Sequence, residues 1–375
     1  MTGRDYDVVI VGAGIIGAAI ALECTREHMR VAVIEPDVVG GGATAAGMGH
    51  IVVMDDSEAQ FALTHYSQQL WQAIAEDLPR EVEYMPCGTI WVATDDEELY
   101  AVRRKHEYYD ERGVATEILD ATQLGEAEPN LRPGLAGGLL VPGDSVIYSP
   151  CAARFFLQQA RAKGAELYLG LHAVELRSHD VVLSDGAWLS ATSVVNAAGT
   201  WAPGLSPGIE IRKRKGHLAI TDRYPGHIRH QLVELGYLKS AHSFAAESVA
   251  FNVQPRMTGQ LLIGSSRQFG SETNDVDGQI LRRMLHRAFE YLPNLSHMSA
   301  IRTWTGFRAA TPDKLPLIGK SPTQENAYLA TGHEGLGITT SLGTARLLVD
   351  QLLNRRSEIP VDPYLPTRHT ETAHA

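Results

Sequence analysis

The feature that most restricts the fold is a glycine-rich turn between an apolar strand and a helix. Residues Tyr6 to Val11 form a β-branched apolar run, the motif GAGIIG follows directly, and the next stretch, to about Glu27, has helical spacing. A second apolar run, Val31 to Ile34, ends in Glu35, about 20 positions after the glycines. This order of elements predicts a βαβ unit that binds a dinucleotide.

Several residues of this unit have a physical role in that prediction. Gly12 allows the tight turn, Gly14 lets the backbone approach a pyrophosphate, and Gly17 permits close packing of helix on strand. The helix around Ile16 offers free N–H groups to the anion at its N-terminus. Glu35 would accept hydrogen bonds from both ribose hydroxyls and would repel a 2′-phosphate, which disfavours NADP. A plain glycine turn is the alternative, and the motif alone does not separate FAD from NAD.

Three later segments favour a flavin. Residues 40–49, GGGATAAGMG, are too rich in glycine and alanine for a solvated loop, although a flexible linker is the alternative. An apolar strand at 191–198 runs into NAAGTWA, and residues 331–338, TGHEGLGI, are expected to open a long apolar helix. The N-terminus of that helix would stabilise negative charge near N1 and O2 of a reduced flavin, a use that NAD enzymes do not have.

These motifs resemble the flavoprotein family of D-amino-acid oxidase, glycine oxidase and sarcosine oxidase over essentially the whole chain. The matching motifs are GAGIIG with its downstream acid, ATAAGMGH at 43–50, NAAGTWA at 196–202, and FRAATPDKLPLIG at 307–319 followed by TGHEGLGI. The resemblance implies a FAD-dependent enzyme in which the flavin carries the chemistry and no protein side chain is a catalytic base.

The resemblance also assigns residues to the cofactor. Val174 enters because the strand GAELYLGLHAVEL matches the family's adenine-side strand. The monomeric sarcosine oxidases attach their flavin through a cysteine, and Gly306 stands at the aligned position, so noncovalent FAD is expected. The implied cofactor-binding residues are Gly12, Gly14, Ile16, Gly17, Glu35, Thr44, Ala45, Ala46, Gly47, Met48, Val174, Gly199, Gly332, His333, Glu334, Gly335, Leu336, Gly337 and Ile338.

The expected architecture is an α/β fold with two discontinuous domains. Residues 1–85, 145–212 and 300–365 would build a Rossmann-like FAD-binding domain. Residues 86–144 and 213–299 show strand-like alternation suited to an α+β substrate-binding domain on a mixed β-sheet. Residues 366–375 are predicted to be a disordered tail.

Arg308 is the residue predicted to bind a substrate carboxylate. A guanidinium offers a planar donor fork that matches both carboxylate oxygens. The segment FRAATPD resembles the family's R-P-x-T-x-D stretch, with Ala309 in place of proline. Without the resemblance, an arginine beside a turn is more often a surface ion-pair partner.

Four weaker candidates complete the substrate pocket. Family members place a carboxylate-binding or lid tyrosine near Tyr224 and Tyr237, although a tyrosine in a sheet is more often a packing residue. Arg267 matches a position that is not arginine in glycine oxidases, which predicts a pocket different from theirs. Met48 belongs to the loop expected over the flavin and is assigned to substrate binding as well.

Composition excludes several other functions. The 33 basic and 44 acidic residues give a net charge of −11, which disfavours nucleic-acid binding. Cys24, Cys87 and Cys151 lie far apart, and His50 and His333 have no ligand-spaced partner, so we expect neither a metal nor a disulfide framework. No apolar run approaches the ~20 residues of a membrane span. We expect a cytoplasmic protein, with peripheral attachment to the inner face of the membrane as an alternative.

The predicted reaction is oxidation of a small amino or imino acid to the imine, by hydride transfer from Cα to flavin N5. The stretch AAGMGHIVVMDDSEAQFALTHYSQQLW resembles bacterial D-hydroxyproline dehydrogenases, some of which are catalytic subunits of hetero-oligomers. One alternative is a glycine, sarcosine or D-amino-acid oxidase that uses oxygen. A second is a non-catalytic FAD-binding subunit of an electron-transfer complex. The electron acceptor would be oxygen, a quinone or a partner subunit, and the protein would be a homo- or hetero-oligomer or a monomer.

Overall fold

The secondary structure comes from a computed structural model that describes residues 5–177, 179–236 and 247–369. The strands are β1 (Asp5–Val11), β2 (Val31–Glu35), β3 (His50–Ile51), β4 (Thr89–Ala93), β5 (Glu117–Asp120), β6 (Gly137–Val141), β7 (Ser145–Val146), β8 (Glu166–Leu169), β9 (Ala173–Leu176), β10 (Asp180–Leu183), β11 (Trp188–Asn196), β12 (Arg212–Arg223), β13 (Gln231–Glu234), β14 (Glu247–Pro255), β15 (Gln260–Phe269), β16 (Ala300–Ala310), β17 (Leu317–Lys320) and β18 (Ala327–Thr331).

The α-helices vary from one turn to sixteen residues. They are α1 (Ile15–Arg26), α2 (Gly42–Ala46), α3 (Glu58–Ala73), α4 (Asp96–Asp110), α5 (Ala121–Ala127), α6 (Ser149–Ala162), α7 (Ala202–Leu205), α8 (Gly278–Tyr291) and α9 (Ser341–Leu352). Among the described residues, no helix is both long enough and apolar enough to cross a membrane.

The first large sheet contains the predicted βαβ unit. Its strand order is β17-β18-β11-β1-β2-β8, and β1 is parallel to both β2 and β11. Val9 and Ile10 in β1 have no exposed surface, because apolar layers cover both faces of the sheet. Helices α1, α6 and α9 cover one face, and the strands β9 and β10 pack against residues of the other.

The second large sheet has the order β16-β12-β15-β14-β13-β4-β6-β5 and mixes parallel and antiparallel pairs. Helix α8 covers one face, where Met284 and Ala288 are fully buried and the rings of Phe251 and Tyr291 stack with centroids 4.2 Å apart. Side chains alternate along a strand, so every second side chain of β12 points away from helix α8. These side chains lie on the opposite face of the sheet. That other face meets the first sheet's glycine-rich loops.

Two boundaries differ from the sequence prediction. Residues 300–310 were assigned to the FAD-binding domain, but β16 pairs with β12 along its whole length and belongs to the second sheet. The predicted disordered tail is wrong at its start, because Pro366–His369 form a 3-10 helix. Arg368 holds this helix by donating from Nε to Asp313 Oδ2 at 2.7 Å. Residues 370–375 lie outside the described residues.

Candidate active site

The glycine-rich turn between β1 and α1 is packed too tightly to accept side chains. Gly12 has φ +105°, and a Cβ there would lie 2.7 Å from the carbonyl oxygen of Ala197 at the end of β11. A Cβ on Gly17 would overlap the carbonyl oxygen of Gly12. Gly14 caps α1 without any side-chain hydrogen bond, so the turn offers backbone N–H groups at a helix N-terminus.

Glu35 ends β2 beside this turn. Its Oε2 accepts a hydrogen bond from the Ala13 N–H at 2.8 Å, and its Oε1 accepts one from the Asp37 N–H at 3.0 Å. The side chain is only half-buried, so each oxygen has a lone pair to offer to a ligand. A carboxylate in this place suits the ribose of a dinucleotide whose pyrophosphate lies at the turn.

Residues 40–49 form a built element that packs onto the turn, which argues against the flexible-linker alternative. Thr44 is buried in α2, and its Oγ1 accepts a hydrogen bond from the Ile15 N–H at 3.0 Å. The Gly40 N–H donates to the Ala13 carbonyl oxygen at 2.8 Å, and Ser149 Oγ donates to the Thr44 carbonyl oxygen at 2.8 Å. The loop is therefore attached to the first turn of α1.

The other two glycine-rich motifs converge on the same place. Thr331 Oγ1 donates to the Gly199 carbonyl oxygen at 2.9 Å, which joins the end of β18 to the end of β11. A Cβ on Gly47 would lie 2.7 Å from Ile338 Cδ1, so the segment 332–338 lies directly on residues 40–49. Segments hundreds of residues apart in sequence thus surround one site.

The segment 332–340 is a series of turns rather than the start of a helix. Helix α9 begins only at Ser341, so the expectation that 331–338 open the helix is wrong. The Glu334 N–H donates to the Ala309 carbonyl oxygen at 2.9 Å and His333 bridges to Ala310, which fixes the segment to β16. Burial lowers the pKa of His333 to about 3, and its Nε2 lies 3.0 Å from Thr344 Oγ1. The neutral ring of His333 is thus used within the protein.

Gly306 lies where β16 meets helix α2. A Cβ on Gly306 would overlap the Cβ of Ala46, so the sheet and the loop touch at this point. No side chain extends from this position toward the cofactor side, which fits noncovalent FAD. The glycine turn, the half-exposed carboxylate and the converging loops fit a dinucleotide with a flavin ring. The individual residue contacts remain predictions.

Arg308 lies two residues after Gly306 on β16, so both positions are on the same face of the second sheet. Its Nη1 donates to the Ser266 carbonyl oxygen at 3.0 Å. A Cβ on Gly216 of β12 would lie 2.9 Å from the Arg308 Cζ, so the guanidinium rests on bare backbone. Gly335 approaches it from the loop side, where a Cβ would lie 3.7 Å from the Arg308 Nε. Arg308 is therefore enclosed between the sheet and the loop, unlike a surface ion-pair partner.

Two further arginines share this face. Arg214 stands directly opposite Arg308 in the pairing of β12 with β16, and Phe269 of β15 stands opposite Arg214. Arg267 precedes Phe269 by two positions and so lies on the same face. The carboxylate of Glu334 forms an ion pair with Arg214. Burial raises the pKa of Glu334, but the charges of Arg214, Arg267 and Arg308 outweigh burial and hold it below its usual value.

Met48 and His50 connect the loop to the second sheet. Gln254 Nε2 donates to the Met48 carbonyl oxygen at 2.8 Å, and a Cβ on Gly264 would lie 2.8 Å from the Met48 sulfur. Burial lowers the pKa of His50 to about 4, and the positive charge of Arg308 also lowers it. His50 is thus a neutral residue close to Arg308.

One predicted site residue lies elsewhere, and the structure does not test two others. Tyr224 follows the end of β12 that is remote from Arg214, about 30 Å away along an extended strand, and its hydroxyl accepts a hydrogen bond from the Ser299 N–H at 3.0 Å. Its assignment to the substrate pocket is wrong, because it fastens the far edge of the sheet. Tyr237 lies outside the described residues. Val174 is half exposed on β9, and its backbone role toward adenine remains a prediction.

Sequence reasoning missed Arg214 and Gly216. They belong to the run Arg212-Lys213-Arg214-Lys215-Gly216, whose charges suggest a solvated surface. The structure leaves Arg214 only 5% exposed and Lys215 only 3% exposed. The sequence signal that could have found them is the matching spacing of arginine and glycine in two segments. Arg214-x-Gly216 in β12 pairs antiparallel with Gly306-x-Arg308 in β16.

Comparison with known proteins agrees with this geometry. Glycine oxidase from Geobacillus kaustophilus is 29% identical over 98% of this chain and 98% of its own length. Its crystal structure superposes with a TM-score of 0.87 and covers 98% of this chain and 99% of that chain, at 28% identity. The hydrogen cyanide synthase subunit HcnC from Pseudomonas aeruginosa is 26% identical over 97% of this chain and 96% of its own. The model of the DAO family, described as FAD dependent oxidoreductase, matches residues 7–351, and the chain belongs to this family of FAD-dependent oxidoreductases.

Proposed function

We propose that this protein oxidises a small amino or imino acid whose carboxylate binds Arg308. The observation that carries the proposal is the position of the Arg308 guanidinium, which lies on the sheet face that meets the cofactor loops and is enclosed by Gly216 and Gly335. A planar guanidinium fork binds a carboxylate through two parallel hydrogen bonds. The glycine oxidase relatives, named for an amino-acid substrate, support the same class.

The chain's own groups have two tasks in this proposal. The turn at Gly12 and Gly14, with Glu35 and Thr44, would hold FAD, which supplies the redox chemistry by accepting a hydride from the substrate Cα. Arg308 would bind and orient the carboxylate, so that one Cα–H points in a fixed direction. His50 stays neutral near Arg308 at physiological pH, since its pKa is about 4, and it therefore adds no competing charge.

Sequence resemblance and the relatives' names suggest which substrate and which electron acceptor to test first. The resemblance of residues 45–71 makes D-hydroxyproline, or a related cyclic secondary amino acid, the first substrate to test. Glycine oxidase relatives favour oxygen as acceptor, whereas the name of HcnC, a synthase subunit, favours transfer to a partner subunit.

The test is anaerobic mixing of the purified holoprotein with a panel of amino and imino acids while the flavin absorbance is followed. The panel contains glycine, sarcosine, D-hydroxyproline, and both enantiomers of proline, alanine and aspartate. We expect bleaching by at least one amino or imino acid, and admission of air then separates an oxidase from a dehydrogenase by its rate of reoxidation. Acid denaturation of the same sample should release FAD into the supernatant. Absence of bleaching by every member would leave a FAD-binding subunit without amino-acid chemistry.

A further inference from the structure

The sheet face that carries Arg308 also carries a buried amide that the protein leaves unpaired. Asn252 of β14 stands opposite Gly264 of β15, the position over which the sulfur of Met48 lies. Asn252 is only 4% exposed, and its Oδ1 makes no hydrogen bond with any residue that the structure describes. A buried acceptor without a partner is unfavourable, so one that lies at a ligand site indicates a hydrogen bond supplied by the ligand.

His50 brings a second such atom to the same place. Its Nε2 is buried and has no hydrogen-bond partner within residues 5–177, 179–236 and 247–369. Burial lowers the pKa of His50 to about 4, against the opposing effect of Gln254 beside the ring, and the charge of Arg308 lowers it as well. The ring is therefore neutral near pH 7 and offers one donor and one acceptor nitrogen. Gln254 in turn donates from Nε2 to the Met48 carbonyl oxygen at 2.8 Å, which joins these side chains into one cluster.

Arg308 reaches across β12 toward this cluster. Its Nη1 donates to the Ser266 carbonyl oxygen of β15 at 3.0 Å, so the guanidinium lies one strand away from β14. Asn252 is paired with Gly264, two residues before Ser266. A strand spacing of about 4.8 Å and a rise of about 3.3 Å per residue make the separation roughly 8 Å. A small substrate whose carboxylate binds Arg308 can therefore place its far end beside Asn252.

We propose that the substrate carries a hydroxyl group at the end remote from its carboxylate, and that Asn252 and His50 bind this hydroxyl. A hydroxyl donates one hydrogen bond and accepts another, which matches the Oδ1 of an amide and a neutral imidazole. The substrate amine does not fit this place, because it is attached to the same carbon as the carboxylate and stays close to Arg308. The inference rests on the proposed function and narrows it to hydroxylated amino or imino acids, with Asn252 and His50 as the residues that select them.

The first test is equilibrium binding of ligands without an amine to the oxidised holoprotein, followed through the flavin spectrum or by calorimetry. 4-Hydroxybutyrate is compared with pentanoate, which has the same number of non-hydrogen atoms and lacks the hydroxyl. Because only the hydroxyl can pair the buried atoms, 4-hydroxybutyrate should bind more tightly by roughly fivefold or more. A smaller preference, or tighter binding of pentanoate, would overturn the proposal.

Two variants locate the hydroxyl site. Asn252→Leu and His50→Phe remove the polar atoms and keep an apolar side chain of similar size, so each should abolish or reverse the preference for 4-hydroxybutyrate. Asn294→Leu is the matched control, because it makes the same substitution at an exposed position of the 3-10 helix Pro293–His297, and it should keep the preference. A preference that survives Asn252→Leu contradicts the proposal. FAD content and circular dichroism confirm that each variant is folded, and the comparison on the parent protein decides the question for a variant that is not.

Substrate oxidation separates this inference from the proposed function. Anaerobic flavin reduction at low substrate concentration is compared for each isomer of 4-hydroxyproline against proline of the same configuration at Cα. Faster reduction by a hydroxylated isomer, with the advantage lost in Asn252→Leu, supports the inference, and equal or faster reduction by proline contradicts it. If no amino or imino acid reduces the flavin while 4-hydroxybutyrate is still preferred through Asn252, the proposed function fails and the hydroxyl site stands.

Discussion

The turn around Gly12 and the arginine cluster on β12, β15 and β16 face the same site, but they are built from different parts of the chain. The turn uses backbone N–H groups and carbonyl oxygens packed so closely that side chains would overlap them. The cluster uses long charged side chains that converge on the carboxylate of Glu334. One region excludes side chains, and the other consists of them.

This difference separates the two tasks of the enzyme. A backbone cradle recognises a pyrophosphate through groups that every residue possesses, so its specificity depends on the glycines that leave them accessible. A side-chain cluster can be changed one residue at a time without moving the backbone. Substitutions in the cluster should therefore alter substrate choice while FAD binding persists, and substitutions in the turn should do the reverse.

The largest expected effect comes from closing the cradle. In Gly17→Ala, the new Cβ overlaps the Gly12 carbonyl oxygen, and the cost should exceed the ~1–3 kcal/mol of ordinary overpacking because backbone cannot rotate aside. We expect a colourless or insoluble protein. Gly125→Ala is the control, since nothing lies within 4 Å of its added Cβ in helix α5. Flavin-to-protein ratios measure both, and a yellow Gly17→Ala variant would show that the turn can move.

Removing Arg308, the residue predicted to bind the substrate carboxylate, should slow substrate oxidation without weakening FAD binding. In Arg308→Ala, the substrate carboxylate loses its partner in a poorly hydrated site, at a cost of roughly 2–5 kcal/mol. Flavin reduction at a given substrate concentration should slow strongly, and Arg308→Lys should recover part of the rate because the charge remains without the planar fork. FAD content should stay near normal in both variants. Unchanged reduction by every carboxylate substrate would make Arg308 a structural residue.

A smaller effect is expected at the edge of the cradle, where a side chain does take part. Glu35→Ala removes the acceptor for the ribose and for the Ala13 and Asp37 N–H groups. Charge-assisted hydrogen bonds of this kind contribute about 1.5–3 kcal/mol, so FAD should bind roughly 10- to 150-fold more weakly. Titration of the apoprotein with FAD measures the change, and substrate preference should not shift. An unchanged dissociation constant would exclude Glu35 from the site.

The effect that is smallest near neutral pH concerns the pH dependence of stability on the cofactor side, where His333 is buried and neutral. Its pKa is about 3 in the folded protein and near 6.5 when unfolded, so the unfolded state binds the proton first as the pH falls. Stability from this group is complete above pH 6.5 and is lost toward pH 3, by about 1.4 kcal/mol per pH unit. His333→Gln should flatten the curve of unfolding free energy against pH in this window. Identical slopes for parent and variant would contradict the assignment.

How much could be predicted from the sequence differs between the two regions. The turn was predicted residue by residue, because the roles of Gly12, Gly14 and Gly17 follow from their spacing between an adjacent strand and helix. Of the arginine cluster, only Arg308 and Arg267 were predicted, both through a family resemblance. Arg214 was missed because a run of four basic residues suggests a solvated surface, and burial by strand pairing is not visible in such a run.

Errors in the prediction have the same origin. Tyr224 was assigned to the pocket by its place along the chain, but it follows the end of β12 that is remote from Arg214. Because an extended strand advances about 3.3 Å per residue, this separates Tyr224 widely from the arginines. Residues 300–310 were assigned to the first domain as part of the stretch 300–365, whereas hydrogen bonds to β12 place them in the second sheet. Position in sequence does not report which edge of a sheet a strand will join.

The sequence by itself determined the local chemistry of this protein: the βαβ unit, the acid at the end of β2 and the glycine-rich segments depend on neighbours a few residues apart. Only the tertiary structure decided that α2 would bond to the first turn of α1, that Gly306 would touch Ala46, and that three arginines would share one face with Glu334. The physical reason is that these contacts depend on how loops, strands and sheets assemble, which joins residues from 29 positions apart, as in Ile15 and Thr44, to 260 apart, as in Ala46 and Gly306, and which no local pattern encodes.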